Sequence, residues 1–199
     1  MFERASNTVI SRRLHCFKIS IRLLSGALRL VISAVLGAVV LVGCGPKIPD
    51  RLGAPIEGYN HTAAAINWFM VNRNGGPNVD PYGGGGKQNC CVSLPRKWHP
   101  GLTVLVEWEK DPTPYDSATF SEPRFSDAWS KRMEEQALKN TQHSATVEVA
   151  PYEDLALVYV HFLPCNQIKV SAGVSYPGHP KHPFKFPRRM EEPTTCPTP

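Results

Sequence analysis

The sequence predicts a mainly β fold, a small β-sandwich or open barrel of about seven strands with one inserted helix. Three observations lead there. Leu102, Val104, Val106 and Trp108 alternate with Thr103, Glu107 and Glu109, the two-residue period of a half-buried strand. Ile168, Val170, Ala172 and Val174 alternate with Lys169, Ser171, Gly173 and Ser175 in the same way. Between them, residues 155–163 are apolar on both faces, the pattern of a central strand covered on both sides of its sheet.

The remaining elements follow in chain order. A first strand ends near Tyr59, Asn60, His61 and Thr62, whose side chains suit hydrogen bonds to backbone at a strand terminus. Residues 65–72, 90–94 and 145–150 are further short strand-forming runs. Trp98-His99-Pro100-Gly101 reads as a turn closed by an aromatic side chain and leading into the strand at Leu102. Residues 126–140 are the one helical stretch: Ser126 suits the N-cap, and Trp129, Met133 and Ala137 recur every four residues on one face. Pro112, Pro114 and Pro123 place that helix in an excursion between two strands, and Pro164-Cys165-Asn166-Gln167 is short enough for a hairpin.

The N-terminal 43 residues have the layout of a signal peptide. Arg12, Arg13, Lys18, Arg22 and Arg29 precede an apolar run over 30–42, which is shorter than the roughly 20 residues a spanning helix needs. The run ends in Leu41-Val42-Gly43-Cys44, which resembles the bacterial lipobox, in which the cysteine is acylated and becomes the new N-terminus. Cleavage there leaves 156 residues with 16 basic and 16 acidic side chains, so the formal +5 of the whole chain belongs to the leader. A nucleic-acid partner thereby loses its electrostatic support. The expected organisation is a leader over 1–43, a lipidated tether over 44–55, a β-rich domain over 56–183 and a proline-rich tail over 184–199. The tether holds Pro46, Pro49 and Pro55 and, extended, reaches roughly 30 Å.

Cys90, Cys91, Cys165 and Cys196 remain in an exported body, where disulfides are expected. Four cysteines allow three connectivities. Side chains of strand neighbours diverge, so bonds from the Cys90–Cys91 pair to Cys165 and Cys196 are preferred to a bond within it; one structural bond with two buried thiols is the alternative. No zinc spacing is present.

Motifs with chemical potential are few. Gly83-Gly84-Gly85-Gly86-Lys87 is followed by Gln88 and a strand, where a phosphate loop needs Ser or Thr and a helix. Residues 72–89 read instead as a long flexible loop, and Asn72, Arg73, Asn74, Tyr82 and Lys87 are its candidate partner contacts. His61, His99, His143, His161, His179 and His182 match no metal pattern, and His182 lies in a proline-rich segment; scattered structural or surface histidines are expected, with His161 a hydrogen-bonded core residue. No nucleophile elbow or Ser-x-x-Lys cassette occurs. The sequence predicts no catalytic residues, no cofactor and no metal.

Gly58–Thr62 (GYNHT), Cys90–Leu102 (CCVSLPRKWHPGL), Val160–Pro164 (VHFLP) and Tyr176–Pro180 (YPGHP) resemble a proteobacterial lipoprotein family called domain of unknown function 3304. Many of its members look like immunity proteins of type VI secretion phospholipase effectors. The resemblance implies a periplasm-facing protein, held in the bilayer by an acylated Cys44, that binds and blocks an incoming phospholipase. Gly45 rather than aspartate after Cys44 resembles lipoproteins of the outer membrane. Variable loops such as 72–89 and 110–125 are then the expected contact surface. The alternative is a general envelope lipoprotein that binds a cell-wall glycan or an assembly subunit, with Trp68, Trp98 or Trp129 as stacking platforms.

Overall fold

The structure is a computed structural model that describes residues 48–197. The leader, the lipobox and Cys44 lie outside the described residues. Eight strands form two sheets: β1 (Arg51–Asn60), β2 (Ala65–Val71), β3 (Asn74–Gly75), β4 (Asn89–Pro95), β5 (Thr103–Asp111), β6 (Thr141–Glu148), β7 (Leu157–Phe162) and β8 (Ile168–Gly173). The first sheet has the order β4-β1-β7-β8 and the second β3-β2-β5-β6, so neither closes into a barrel. All pairings are antiparallel except β1 with β7. The predicted sandwich with one α-helix is therefore what forms among the described residues, and that helix, α1 (Asp127–Ala137), lies between β5 and β6.

The core sits between the sheets. Ala54, Ile56, Val92, Leu94, Val158, Val160, Phe162 and Val170 from one layer meet Ile66, Phe69, Val71, Val104, Val106 and Trp108 from the other. Aromatic rings bridge the layers: Phe162 lies edge-on to Phe69 at 5.1 Å between centroids and to Trp108 at 6.2 Å. Each fully buried Val, Ile, Leu or Phe is worth about 1.5–3 kcal/mol, so this layer is the main source of stability. β7 is the predicted central strand, flanked by β1 and β8, which explains its apolar character on both faces.

Two expectations change. The tether was drawn to residue 55, but β1 begins at Arg51 and pairs with β4 from Arg51↔Pro95 onward. Pro55 sits where the ladder shifts register between Ala54 and Ile56, a bulge that tolerates its missing N–H. In α1, Ser126 Oγ accepts the Trp129 N–H at 3.2 Å as an N-cap should, yet the buried residue is Gln136 while Ala137 is exposed. The proline-rich tail, expected to be irregular or draped over the domain, is both across the described residues 184–197: the Met190 N–H reaches the His61 carbonyl at 2.8 Å, and Cys196 is bonded to Cys165.

That bond also overturns the preferred cysteine pairing. Cys90 and Cys91 are joined to each other, on the edge strand β4, and Cys165 lies in the β7–β8 connection on the far side of β1. Two strand spacings of about 4.8 Å already exceed the Cα separation a disulfide spans.

Candidate functional site

Alternation on β1, β7 and β8 turns one row of side chains away from the core. Register places Tyr59 beside His161 and Glu57 beside Tyr159, and Tyr159 beside Ser171. An outward polar face ordinarily meets water. This one is buried: His161 is 2% exposed, Ser171 1%, Glu57 4% and Tyr159 4%. Two segments cover it, the glycine loop between β3 and β4 and the chain after β8.

The glycine loop is not free. Val79 exchanges two backbone hydrogen bonds with Ile66, both 2.9 Å, and Asn60 donates to the Gly83 carbonyl at 2.8 Å. Gly84 has φ 134°, and a Cβ there would lie 2.6 Å from the Gly58 carbonyl oxygen, so the close approach requires glycine. The run carries an anion after all, one of the chain's own. The Gly86 N–H and the Gln88 side-chain amide donate to the two oxygens of Glu57, each at 3.1 Å. Burial, and then the hydrogen bond and charge of Glu57, push the Tyr59 phenol far above its usual value; burial and the same carboxylate raise Tyr159.

His161 is the expected hydrogen-bonded core histidine, and two others, His61 and His182, gather round it under the C-terminal segment while His99, His143 and His179 stay apart. His61 stacks on His161 at 5.2 Å between centroids, and His182 lies against it at 5.3 Å. Phe184 and Phe186 present their edges to His161 at 5.7 and 5.5 Å, and Tyr59 stacks on it at 5.6 Å. The Pro187 carbonyl can only accept, so His61 Nδ1 carries the proton in their 2.7 Å bond. The neutral His61 Nε2 then accepts from His161 Nδ1 at 2.9 Å. His161 Nε2 is left as a lone pair without a partner among the described residues. Burial, followed by the proximity of His61 and His182, lowers His161 to about 3. Burial also lowers His61 and His182 against the opposing pull of the Pro187 and Phe184 carbonyls.

The hydroxyl and imidazole on this face are enclosed. Ser171 Oγ and His182 Nε2 are 3.0 Å apart, a hydroxyl–imidazole pair of the kind used in acyl transfer, but both are buried and His182 Nδ1 faces the Phe184 carbonyl instead of a carboxylate. The cavity beside His61, lined by Tyr59, Asn60, Gly83, Gly84 and Phe186, holds about 200 Å³, below the roughly 300–1,000 Å³ usual for ligand sites. Among the described residues one trio, Cys165, Glu192 and Cys196, gathers metal-ligating atoms within 4.8 Å, and its sulfurs are joined. The three clustered imidazoles do not converge on a point.

The candidate contact residues fall in two places. Asn72 and Arg73, at φ 48° and 67°, make the tight β2–β3 turn with Asn74. Asn72 both donates its N–H to the Leu105 carbonyl and accepts the Leu105 N–H on its side chain. Tyr82 sits near the other end of β2, where its N–H reaches the Thr62 carbonyl and Arg189 lies 4.8 Å over its ring. Lys87 Nζ is 3.5 Å from Asn78 Oδ1.

Residues 112–140 show what periodicity missed. Tyr115, Phe125 and Leu138 are 68%, 84% and 85% exposed, and Phe125 has φ 67°. The signal available in sequence is a phenylalanine directly ahead of an N-cap serine, and Phe125 leans on Trp129 of the first turn, 5.4 Å between centroids, without being buried by it.

The model of the family described as "Protein of unknown function (DUF3304)" matches residues 59–170, from the end of β1 into β8. No curated protein and no solved structure matches the chain. A match over more than half of the sequence, on the strands that build both sheets, places the chain in that family of proteins of unknown function, DUF3304.

Proposed function

We propose that this protein is a non-enzymatic immunity protein: a periplasm-facing lipoprotein, anchored in the outer membrane by an acylated Cys44, that binds and blocks a type VI secretion phospholipase effector. The observation that carries the non-enzymatic part is the closed face of the first sheet. Its one hydroxyl–imidazole pair, Ser171 with His182, is buried under the C-terminal segment, while the insertion over 112–140 holds large apolar side chains out to solvent. Large apolar side chains held out to solvent beside a sealed polar face suit the binding of a macromolecule. The lipobox and the motif resemblance supply the compartment and the partner class, and a tether concentrates an inhibitor at the surface its target attacks.

The test is expression of the full chain in bacteria that export type VI secretion phospholipase effectors, one at a time, to their own periplasm. Survival and a fall in lipid hydrolysis are expected, and both should be lost with Cys44→Ala if anchoring matters. Unprotected cells, with no complex recovered, would end the reading.

One observation favours the alternative of an envelope protein that binds a cell-wall glycan. Trp68 lies partly exposed on β2, next to Glu109, whose carboxylate accepts from Asn67 and Asn140 at 3.0 Å each and is held below its usual pKa mainly by Asn67. An indole beside carboxamides suits a sugar ring. Co-sedimentation with peptidoglycan that Trp68→Ala abolishes would favour it.

A further inference from the structure

The insertion joins the second sheet through a neck. Lys110↔Thr141 is the last pair of the β5–β6 ladder, so the chain leaves through Asp111 and Thr113 and returns through Asn140. Beside it lies Gln136, the buried residue of α1, at 7% exposure. The Gln136 amide donates to the Thr113 carbonyl at 2.7 Å, and the Asn140 N–H donates to the Ala137 carbonyl at 3.1 Å, one residue further on. The Asn140 side-chain amide donates to Glu109 Oε1 at 3.0 Å. These bonds fix which end of each carboxamide is oxygen, because a flip would set oxygen against oxygen. Gln136 Oε1, Asn140 Oδ1 and Thr113 Oγ1 are then buried with no hydrogen-bond partner among the described residues. One other buried side-chain atom shares that state, His161 Nε2 on the first sheet. A buried polar atom left unpaired costs about 1–3 kcal/mol, so three in one neck imply a partner that satisfies them together.

All three atoms are oxygens, and the charge around them is negative. Asp111 turns one carboxylate oxygen to the Thr113 N–H at 2.8 Å, and no ion pair engages it among the described residues. Lys110 and Lys139, the cations nearest in sequence, are committed to Glu192 and Asp116, each at 3.3 Å. Gln136 also stands in the last turn of α1, the end whose free carbonyls favour a cation. We infer that the neck is a calcium site: Gln136 Oε1, Asn140 Oδ1 and Thr113 Oγ1 ligate the ion, Asp111 supplies the carboxylate, and Glu109 balances charge from behind Asn140. Carboxylate, carboxamide and hydroxyl oxygens in an irregular set suit Ca²⁺, whereas Mg²⁺ demands a regular octahedron and gives up its water reluctantly. Softer metals prefer imidazole or thiolate, and neither is among the orphaned donors. The ion ties the departing strand to the returning end of α1 and stiffens an insertion whose helix buries no large hydrophobe. The site does not depend on what the protein binds, so its failure would leave the proposed function standing.

The experiment takes the full chain in non-ionic detergent, strips it with EDTA and titrates it with CaCl₂, followed by calorimetry and by amide exchange over 112–140. The expected result is one site with a Kd on the order of 10⁻⁴–10⁻³ M, the range of extracellular calcium modules. At about ten times that Kd, exchange in the insertion should slow about tenfold. Thr113→Val removes the orphaned oxygen and keeps the carbonyl that Gln136 uses; Asp111→Asn removes the charge and keeps an oxygen for the Thr113 N–H. Each should weaken binding by at least about tenfold, while Glu135→Gln, on the exposed side of the helix, binds as wild type. Without calcium, Thr113→Val should melt no lower than wild type, since it deletes a buried unpaired atom, which separates ligation from a structural role. No slowing of exchange at about ten times the upper end of that Kd range would overturn the site, water then satisfying the three oxygens. Equal slowing by MgCl₂, or unchanged affinity in both neck variants, would also overturn it, as binding to surface carboxylates.

Discussion

His161 is surrounded by His61, His182, Tyr59, Phe184 and Phe186, and no carboxylate pairs with its ring. In the folded chain its pKa is lowered to about 3, whereas an unfolded histidine titrates near 6.5. Between those values the unfolded chain binds more protons, so stability is complete above about pH 6.5 and falls as pH drops toward 3. The shift corresponds to a loss on the order of 5 kcal/mol, and His61 and His182, lowered for the same reason, act in the same direction. The expected outcome is a melting temperature flat above pH 7 and declining below pH 6, with a shallower decline in His161→Phe; an equal slope in that variant would assign the effect to other groups. Phe125 makes a second prediction at this scale. Releasing a bulky residue from the left-handed region, less the entropy cost of glycine, should raise stability of Phe125→Gly by about 0.5–1 kcal/mol, read as a shift of a few degrees. That His161 is a hydrogen-bonded core histidine is legible in sequence; its aromatic cover and the Phe125 backbone are not. Periodicity reports which side of a strand a residue takes, and His161 was correctly placed on an apolar strand; but what covers that side comes from a segment some twenty residues downstream, with no periodic pattern of its own.

Elements were legible in proportion to how clean their alternation is. β5 and β8 are legible because every second residue is apolar, β7 because it is apolar on both faces, and α1 because Ser126 supplies a cap. The start of β1 is hidden in sequence by Gly53 and Pro55, and the glycine run reads as flexible because glycine marks both mobile loops and close contacts. The C-terminal segment has no such pattern and is held by side chains, by the Met190–His61 backbone bond and by the Cys165–Cys196 disulfide. That disulfide closes a loop with a sequence separation of 31. Chain entropy assigns such a loop about 3.7 kcal/mol. Cys165→Ser/Cys196→Ser is therefore expected to lose about that much in denaturant titration, and amide exchange at His182, Phe184 and Met190 should rise more than exchange in β5. Uniform loss of protection would show that the bond acts on the whole chain and not on the cover.

For the molecule as a whole, the two sheets share one core, and Phe69 is where they lock. It is 1% exposed, touches Phe162 of the opposite sheet, and is enclosed so closely that a Cβ on Gly58 would lie 3.0 Å from its ring. Nothing in that packing lets one sheet unfold while the other keeps its inner face dry, since β2 and β5 have no other apolar layer to cover them. Truncating a buried phenylalanine costs about 3–5 kcal/mol. Phe69→Ala is expected to lower stability by that amount in a single transition, with the far-UV strand signal and exchange protection in β5 and β7 lost at one denaturant midpoint. The insertion stands apart from this unit, because α1 buries Gln136 and no large hydrophobe. Its amides should exchange through openings of lower free energy than the global one, and Phe69→Ala should leave those local openings unchanged while it lowers the global limit. Separate midpoints for β5 and β7 would mean that the sheets are independent layers; slowed exchange throughout the insertion, tracking the core, would mean that it belongs to the fold after all.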